Sequence, residues 1–205
     1  MPDVSIIIPC YNEEKTILFL LQSLLEQTYA LDAMEVIISD GLSTDHTREV
    51  ISRFSREHPE LSLLVVDNIK RDIPSALNAG LARAHGEFIV RLDAHSVPVK
   101  NYVELCVTDL KAGKGDNIGG VWDIRPSDDR WMAQCIAIAA AHRLGVGDAK
   151  YRYTSEAAEV DTVPFGAYRR ELFERIGGFD ETLLTNEDYE FNTRIRQAGG
   201  KVYLD

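Results

Sequence analysis

Cysteine is scarce: Cys10, Cys106 and Cys135 are three in 205 residues, widely spaced and without a C-x-x-C pair. That excludes a disulfide framework and a zinc-finger site, and it fits a reducing compartment. Positive charge is short as well, with 22 Lys and Arg against 33 Asp and Glu and a formal net charge of −11 at pH 7. Such a field repels nucleic acid and anionic membrane, so a general phosphate-backbone binder is excluded. An anionic ligand must then be held by helix N-termini, a few placed cations or a metal ion. Long apolar runs are missing too. The longest, residues 135–141, is far short of the roughly 20 needed to cross a bilayer, and MPDVSIII carries Asp3 where a signal peptide carries Lys or Arg. A soluble, cytoplasmic chain is expected. The first loop, PCYNEE, contains no glycine. The dinucleotide fingerprint and the Walker loop are therefore absent, and dehydrogenases and P-loop kinases drop out.

What is present is a chain that is 45% hydrophobic and 27% charged, enough for one α/β domain with a real core. Residues 4–9 (VSIIIP) read as a buried strand, and residues 13–27 place Ile17, Leu20, Leu21, Leu24 and Leu25 on one helical face. Strands are expected at 36–40, 61–67 and 88–93. A helix capped by Ser43-Thr44-Asp45 and another running from Ile73 to a His85-Gly86 C-cap lie between them. This alternation implies βαβ units and a largely parallel sheet, whose ligands gather at the carboxyl ends of the strands. The second half reads as a helix over 100–113, a strand over 117–124 and an Ala-rich helix over 131–144. A polar loop over 145–159 is a candidate lid or acceptor loop, an idle connection being the other reading. A segment at 162–165, helices over 170–176 and 187–198 and a strand at 202–204 complete the chain.

The polar residues that end the strands carry the chemistry. Asp40 could accept the N3–H of uracil, which cytosine lacks, or simply cap its own turn through Gly41 and Ser43. Lys70 and Arg71 suit a diphosphate. Asp93-Ala94-His95 follows a strand, and an oxygen with an imidazole nitrogen suits Mn²⁺ better than Mg²⁺; a capping Asp beside a surface His is the alternative. Glu187 and Asp188 open the last helix, with Glu190 and Arg194 one turn apart on it. They are either acids favoured by the helix dipole, with an i,i+4 ion pair, or a source of a general base. Spacing leaves both open. His46, His58, His85 and His142 form no cluster.

Taken together, SIIIPCYNEE, VIISDGLSTDHT, SALNAGLARAHGEFIVRLDAH, VPFGAYRRELFERIGGFDE and NEDYEFNTRIRQAGGKVYL resemble glycosyltransferase family 2 over nearly the whole chain. RLDAHS and NEDYEFNTRIRQAGG look most like its succinoglycan-type exopolysaccharide glucosyltransferase branch. The resemblance implies a GT-A fold, with residues 1–98 as the nucleotide-sugar half and 99–205 as the acceptor half. It implies inverting transfer from a nucleotide sugar, usually a UDP-sugar, to a glycan or lipid-linked saccharide acceptor at the inner face of the cell membrane. Pro9, Tyr11 and Glu13 match the nucleotide-contacting loop and Asp40 the base-reading acid. Lys70 or Arg71 with Asn78 matches the ribose and diphosphate stretch. Asp93 and His95 stand in the D-x-D metal motif, which takes Mn²⁺ or Mg²⁺, and Asp188, beside Glu187, matches the catalytic base. His95 departs from the commoner Asp, and the chain stops where many relatives continue. A non-catalytic nucleotide- or glycan-binding domain is the rival reading. A sugar nucleotidyltransferase would want a Gly- and Arg-rich loop that PCYNEE does not supply.

Overall fold

In the computed structural model, which describes residues 1–126, 128–147, 149–154 and 156–205, strand β1 (Val4–Cys10) runs between β2 (Met34–Asp40) and β4 (Phe88–Arg91), parallel to both. Its side chains alternate between two covered faces. Val4, Ile6, Ile8 and Cys10 join one core with helices α1 (Ile17–Leu25) and α2 (Thr47–Glu57), while Ile7 joins the other with Leu77 of α3 (Ile73–Leu81). Burial on both sides explains why β1 reads as an unbroken apolar run.

Strand β3 (Ser62–Asp67) pairs with β2 at the sheet's edge. After helix α4 (Tyr102–Ala112), β5 (Asn117–Gly119), β6 (Ala158–Glu159), β7 (Ala167–Arg169) and β8 (Val202–Leu204) extend the sheet to the order β3-β2-β1-β4-β7-β5-β8-β6. The expectation of a largely parallel sheet holds, since β5 and β8 run the same way as the first four strands; the reversed strands are β7, antiparallel to both β4 and β5, and β6, antiparallel to β8. A reversed β7 starts where β4 ends, so the loop before it arrives at the carboxyl edge of the sheet. Helix α8 (Glu187–Gln197) leads into β8, which is parallel to β5, and so its N-terminus starts at that same edge.

Several boundaries differ from the sequence reading. The strand expected over 117–124 stops at Gly119, and the 162–165 segment ends where Phe165 and Gly166 hold left-handed backbone (φ 61° and 109°) that no extended ladder accommodates. A Cβ on Gly166 would stand 2.3 Å from Asn117 Oδ1, so only glycine fits. The Ala-rich helix splits into α5 (Trp131–Ala141) and α6 (Arg143–Val146) at an extended His142. Helix α5 buries only Ala133 and Ala137, leaving Trp131, Met132, Ile136 and Ile138 exposed. Helix α7 (Arg170–Ile176) forms as expected. In the 145–159 loop, residues 150–152 make a 3₁₀ turn that buries Tyr151, while Asp148 and Ser155 lie outside the described residues. No helix among the described residues is long and apolar enough to cross a membrane.

His85-Gly86 is not the C-cap of α3, which ends four residues earlier. Gly86 serves close approach instead: its N–H donates to Ser5 Oγ at 2.8 Å, and a Cβ would stand 2.6 Å from the backbone nitrogen of Ser5. Gly86→Ala should therefore cost roughly 1–3 kcal/mol by overpacking, read in calorimetry as a Tm several degrees lower. An unchanged Tm would mean that β1 yields without strain.

Candidate active site

The loops that leave β1, β2, β3 and β4 meet in one open pocket at the carboxyl edge. Pro9, Tyr11 and Glu13 come from the first, Gly41 from the second, Arg71 and Asp72 from the third, and Asp93 and His95 from the fourth. The first two loops are knitted together. Asn12 N–H donates to Ser43 Oγ at 2.9 Å, Thr44 N–H to Asn12 Oδ1 at 2.8 Å, and Glu13 N–H to Thr47 Oγ1 at 2.8 Å. Among the described residues, the non-glycine positions with left-handed backbone are Asn12, Leu42, Arg71, Phe165 and Asn186. Each lies in a loop at or next to the carboxyl edge, and such strain collects where the surrounding structure fixes a working geometry.

Asp40 lies behind the pocket, fully buried. Its carboxylate accepts from Ser43 N–H at 3.0 Å, Ser43 Oγ at 2.5 Å and Arg48 Nε at 2.5 Å, and Arg48 also holds Asp67 at 2.5 Å. The turn-capping role is therefore present in the structure. These three bonds leave Oδ1 room for one more donor, but with Asp40 fully buried a nucleobase N–H reaches it only if the covering loop opens. The two cations of the third loop part company: Arg71 stands over the Tyr11 ring, 5.8 Å from its centroid and inside the pocket, whereas Lys70 pairs with Glu181. Asn78 turns away from the pocket. Its amide exchanges two 2.9 Å bonds with the backbone of Phe179 and donates to Glu181 at 2.8 Å, fastening the GGFDE segment to α3. Lys70 and Asn78, expected beside ribose and diphosphate, are both bonded to that segment here, and neither lines the pocket.

His95 brings Nδ1 to 3.1 Å from Glu13 Oε1, its side chain 61% exposed, and Asp93 lines the pocket beside it. No group of three or more His, Cys, Asp or Glu side chains gathers to hold a metal among the described residues. A carboxylate and an imidazole nonetheless suit a divalent cation that takes its other ligands from phosphate oxygens and water. Cys10 also lines the pocket. Burial, helped by Asp40 and Glu13, pushes its thiol up to about 12, so it is no thiolate nucleophile at neutral pH.

Across the edge, Glu187 and Asp188 open α8 after the left-handed Asn186. Glu187 is buried, with Oε1 2.9 Å from Arg91 Nη2. The same nitrogen lies 3.4 Å from Asp93 Oδ1. Asp188 is only half-buried, and burial raises its carboxyl above the usual aspartate range against the opposing pull of Arg91. Asp188 thus holds its proton more tightly than an ordinary aspartate, while Glu187 sits in a fixed ion pair. Arg194 is more than a helix-surface partner of Glu190: it donates to Ile176 O at 2.8 Å and Gly178 O at 2.7 Å as well, tying α8 to the end of α7. Sequence reasoning missed Arg91. The signal was its place two residues before Asp93 on an extended run, which puts both side chains on one face.

The family model of glycosyl transferase family 2 matches residues 5–177. The succinoglycan biosynthesis protein ExoA of Rhizobium meliloti (strain 1021) is 32% identical over 97% of this chain and 59% of its own length. The glycosyltransferase AglE of Haloferax volcanii is likewise 32% identical, over 97% of this chain and 63% of its own. The chain thus spans about three-fifths of the length of these relatives. Among solved structures, Staphylococcus aureus TarS 1–349 in complex with UDP superposes over 100% of this chain and 58% of that one, with a TM-score of 0.75 and 24% identity. The mannosyltransferase PcManGT from Pyrobaculum calidifontis, in complex with GDP-Man and Mn²⁺, covers 100% and 56%, with a TM-score of 0.73 and 28% identity. The architecture, a central sheet flanked by helices, is that of GT-A glycosyltransferases.

Proposed function

Because the chain belongs to glycosyl transferase family 2, we propose that it transfers a sugar, with inversion, from a nucleotide sugar to an acceptor hydroxyl in the synthesis of an exopolysaccharide or other surface glycan. One observation carries this reading: the pocket with Asp93 and His95 and the helix start with Asp188 lie on one edge of the sheet, joined through Arg91. Residues 1–98 supply the donor pocket and residues 99–205 the acceptor side. The donor is a UDP-sugar, read by Tyr11, by Pro9 and Glu13 of the first loop, and by Asp40 once the loop covering it opens. Arg71 faces the diphosphate. The acceptor is a saccharide, free or lipid-linked, met at the inner face of the membrane.

Inversion at an anomeric carbon requires a base, an in-line approach and a stabilised leaving group. Asp188 takes the proton from the acceptor hydroxyl, whose oxygen bonds the anomeric carbon on the face opposite the diphosphate. The bond from that carbon to the diphosphate oxygen breaks, and the electron pair leaves with the nucleoside diphosphate. Asp93 and His95 would hold a Mn²⁺ or Mg²⁺ ion, which, when bound, neutralises the charge on that leaving group. No residue forms a covalent intermediate.

The test is release of nucleoside diphosphate from UDP-glucose, UDP-N-acetylglucosamine and GDP-mannose, with and without Mn²⁺ and with a bacterial lipid extract as acceptor. Metal-dependent release from a UDP-sugar is expected. No turnover with any donor would overturn the assignment.

A further inference from the structure

Arg91 is 5% exposed, and among the described residues its Nε and Nη1 make no hydrogen bond. A buried guanidinium with unmet donors is poorly explained by stability, since replacing buried ion pairs with apolar side chains is often neutral or stabilising. Its surroundings nevertheless fix it closely. The backbone N–H of Arg91 donates to Gly166 O at 2.9 Å, and the Phe165 ring lies over the guanidinium at 5.8 Å. Tyr168 donates its hydroxyl to Phe165 O at 2.7 Å, holding that left-handed residue in place. The VPFGAYRR segment is thus a clamp on one buried cation. The cation in turn reaches the donor-side Asp93 and, more closely, Glu187 at the head of α8.

Resting on the glycosyl-transfer reading, we propose that Arg91 is a positioning residue that sets the distance between the donor pocket and the acceptor-side helix, with Glu187 as its anchor on α8 and the Phe165-Gly166 turn as its clamp. One nitrogen, Nη2, faces both carboxylates, and the planar guanidinium holds it in a single orientation under the Phe165 ring, which a flexible ammonium does not reproduce. Glu187 thereby serves Asp188 by fixing the backbone that carries it. A misplacement of about 1 Å in such a system costs roughly 10²-fold in rate.

The experiment compares wild type, Arg91→Lys, Arg91→Met, and Arg91→Met combined with Glu187→Gln. It uses whichever UDP-sugar the wild type turns over, and measures kcat, donor KM, Mn²⁺-dependent UDP affinity by calorimetry, and Tm without metal. Arg91→Met is expected to lower both Tm and kcat. The double variant, which no longer buries an unpaired carboxylate, is expected to recover Tm while kcat stays about 10²-fold down, with UDP affinity within threefold of wild type. Arg91→Lys should melt like wild type and lose roughly tenfold in kcat, as the ammonium keeps the charge but not the planar seat that fixes the spacing. If kcat returns together with Tm in the double variant, Arg91 only neutralises charge and the proposal falls. Wild-type kcat in Arg91→Met, or in a normally melting Arg91→Lys, also overturns it. A wild type that turns over no donor overturns the functional reading, and this inference with it.

Discussion

Asp188→Asn should lower transfer by roughly 10²–10⁴-fold, the range of general acid–base assistance, while UDP binding stays within a few-fold of wild type. The amide keeps an oxygen for the Tyr189 N–H, which the carboxylate now accepts at 2.7 Å, and loses the charge and the ability to take a proton. Burial raises the Asp188 carboxyl above the usual aspartate range. As base it must be ionised, so kcat should fall as pH drops through that raised value, on an acid limb lying above that of an ordinary aspartate. The stability sign is opposite. A carboxyl raised in the folded state binds its proton more tightly there than in the unfolded chain. Its contribution to stability is thus present at low pH and lost as pH rises through the folded value. At neutral pH Asp188→Asn should consequently melt no lower than wild type. Near wild-type transfer, or loss of UDP binding in step with activity, would remove Asp188 from the base role.

Chelation should abolish nucleotide release, and Mn²⁺ should restore it better than Mg²⁺, because His95 offers nitrogen where an all-oxygen site would suit Mg²⁺. Asp93→Asn weakens the anionic ligand and should cost about 10²–10³-fold, on the scale of losing one stabiliser of developing charge. His95→Asp should move the preference toward Mg²⁺. It also sets a second carboxylate near Glu13, now 3.1 Å from the imidazole, so its metal-free form should melt lower than wild type. Calorimetry of UDP with each metal separates binding from turnover. Full activity in excess chelator would refute the metal role. An identical Mn²⁺ and Mg²⁺ profile in His95→Asp would move the nitrogen ligand elsewhere.

The strands and helices up to Arg91 were legible in the sequence because each alternation of apolar residues is local. The i, i+3, i+4 face of Ile17 to Leu24 and the continuous VSIIIP run report burial without knowledge of partners. The motif residues at strand ends were legible for the same reason: a parallel sheet sends its carboxyl ends to one edge. By itself the sequence determined the first four strands, the helices between them, the candidate acids at their ends and the likeness to a family. Tertiary structure alone decided which way β7 runs, that Lys70 and Asn78 bond to the GGFDE segment, and that Asp40 is engaged by Ser43 and Arg48. It also brought Glu187 to Arg91 from 96 positions away in the chain. Hydrogen-bond partners, strand direction and burial of charge are set by where distant segments meet, and a side chain's type and local spacing carry no information about which of its candidate partners arrives.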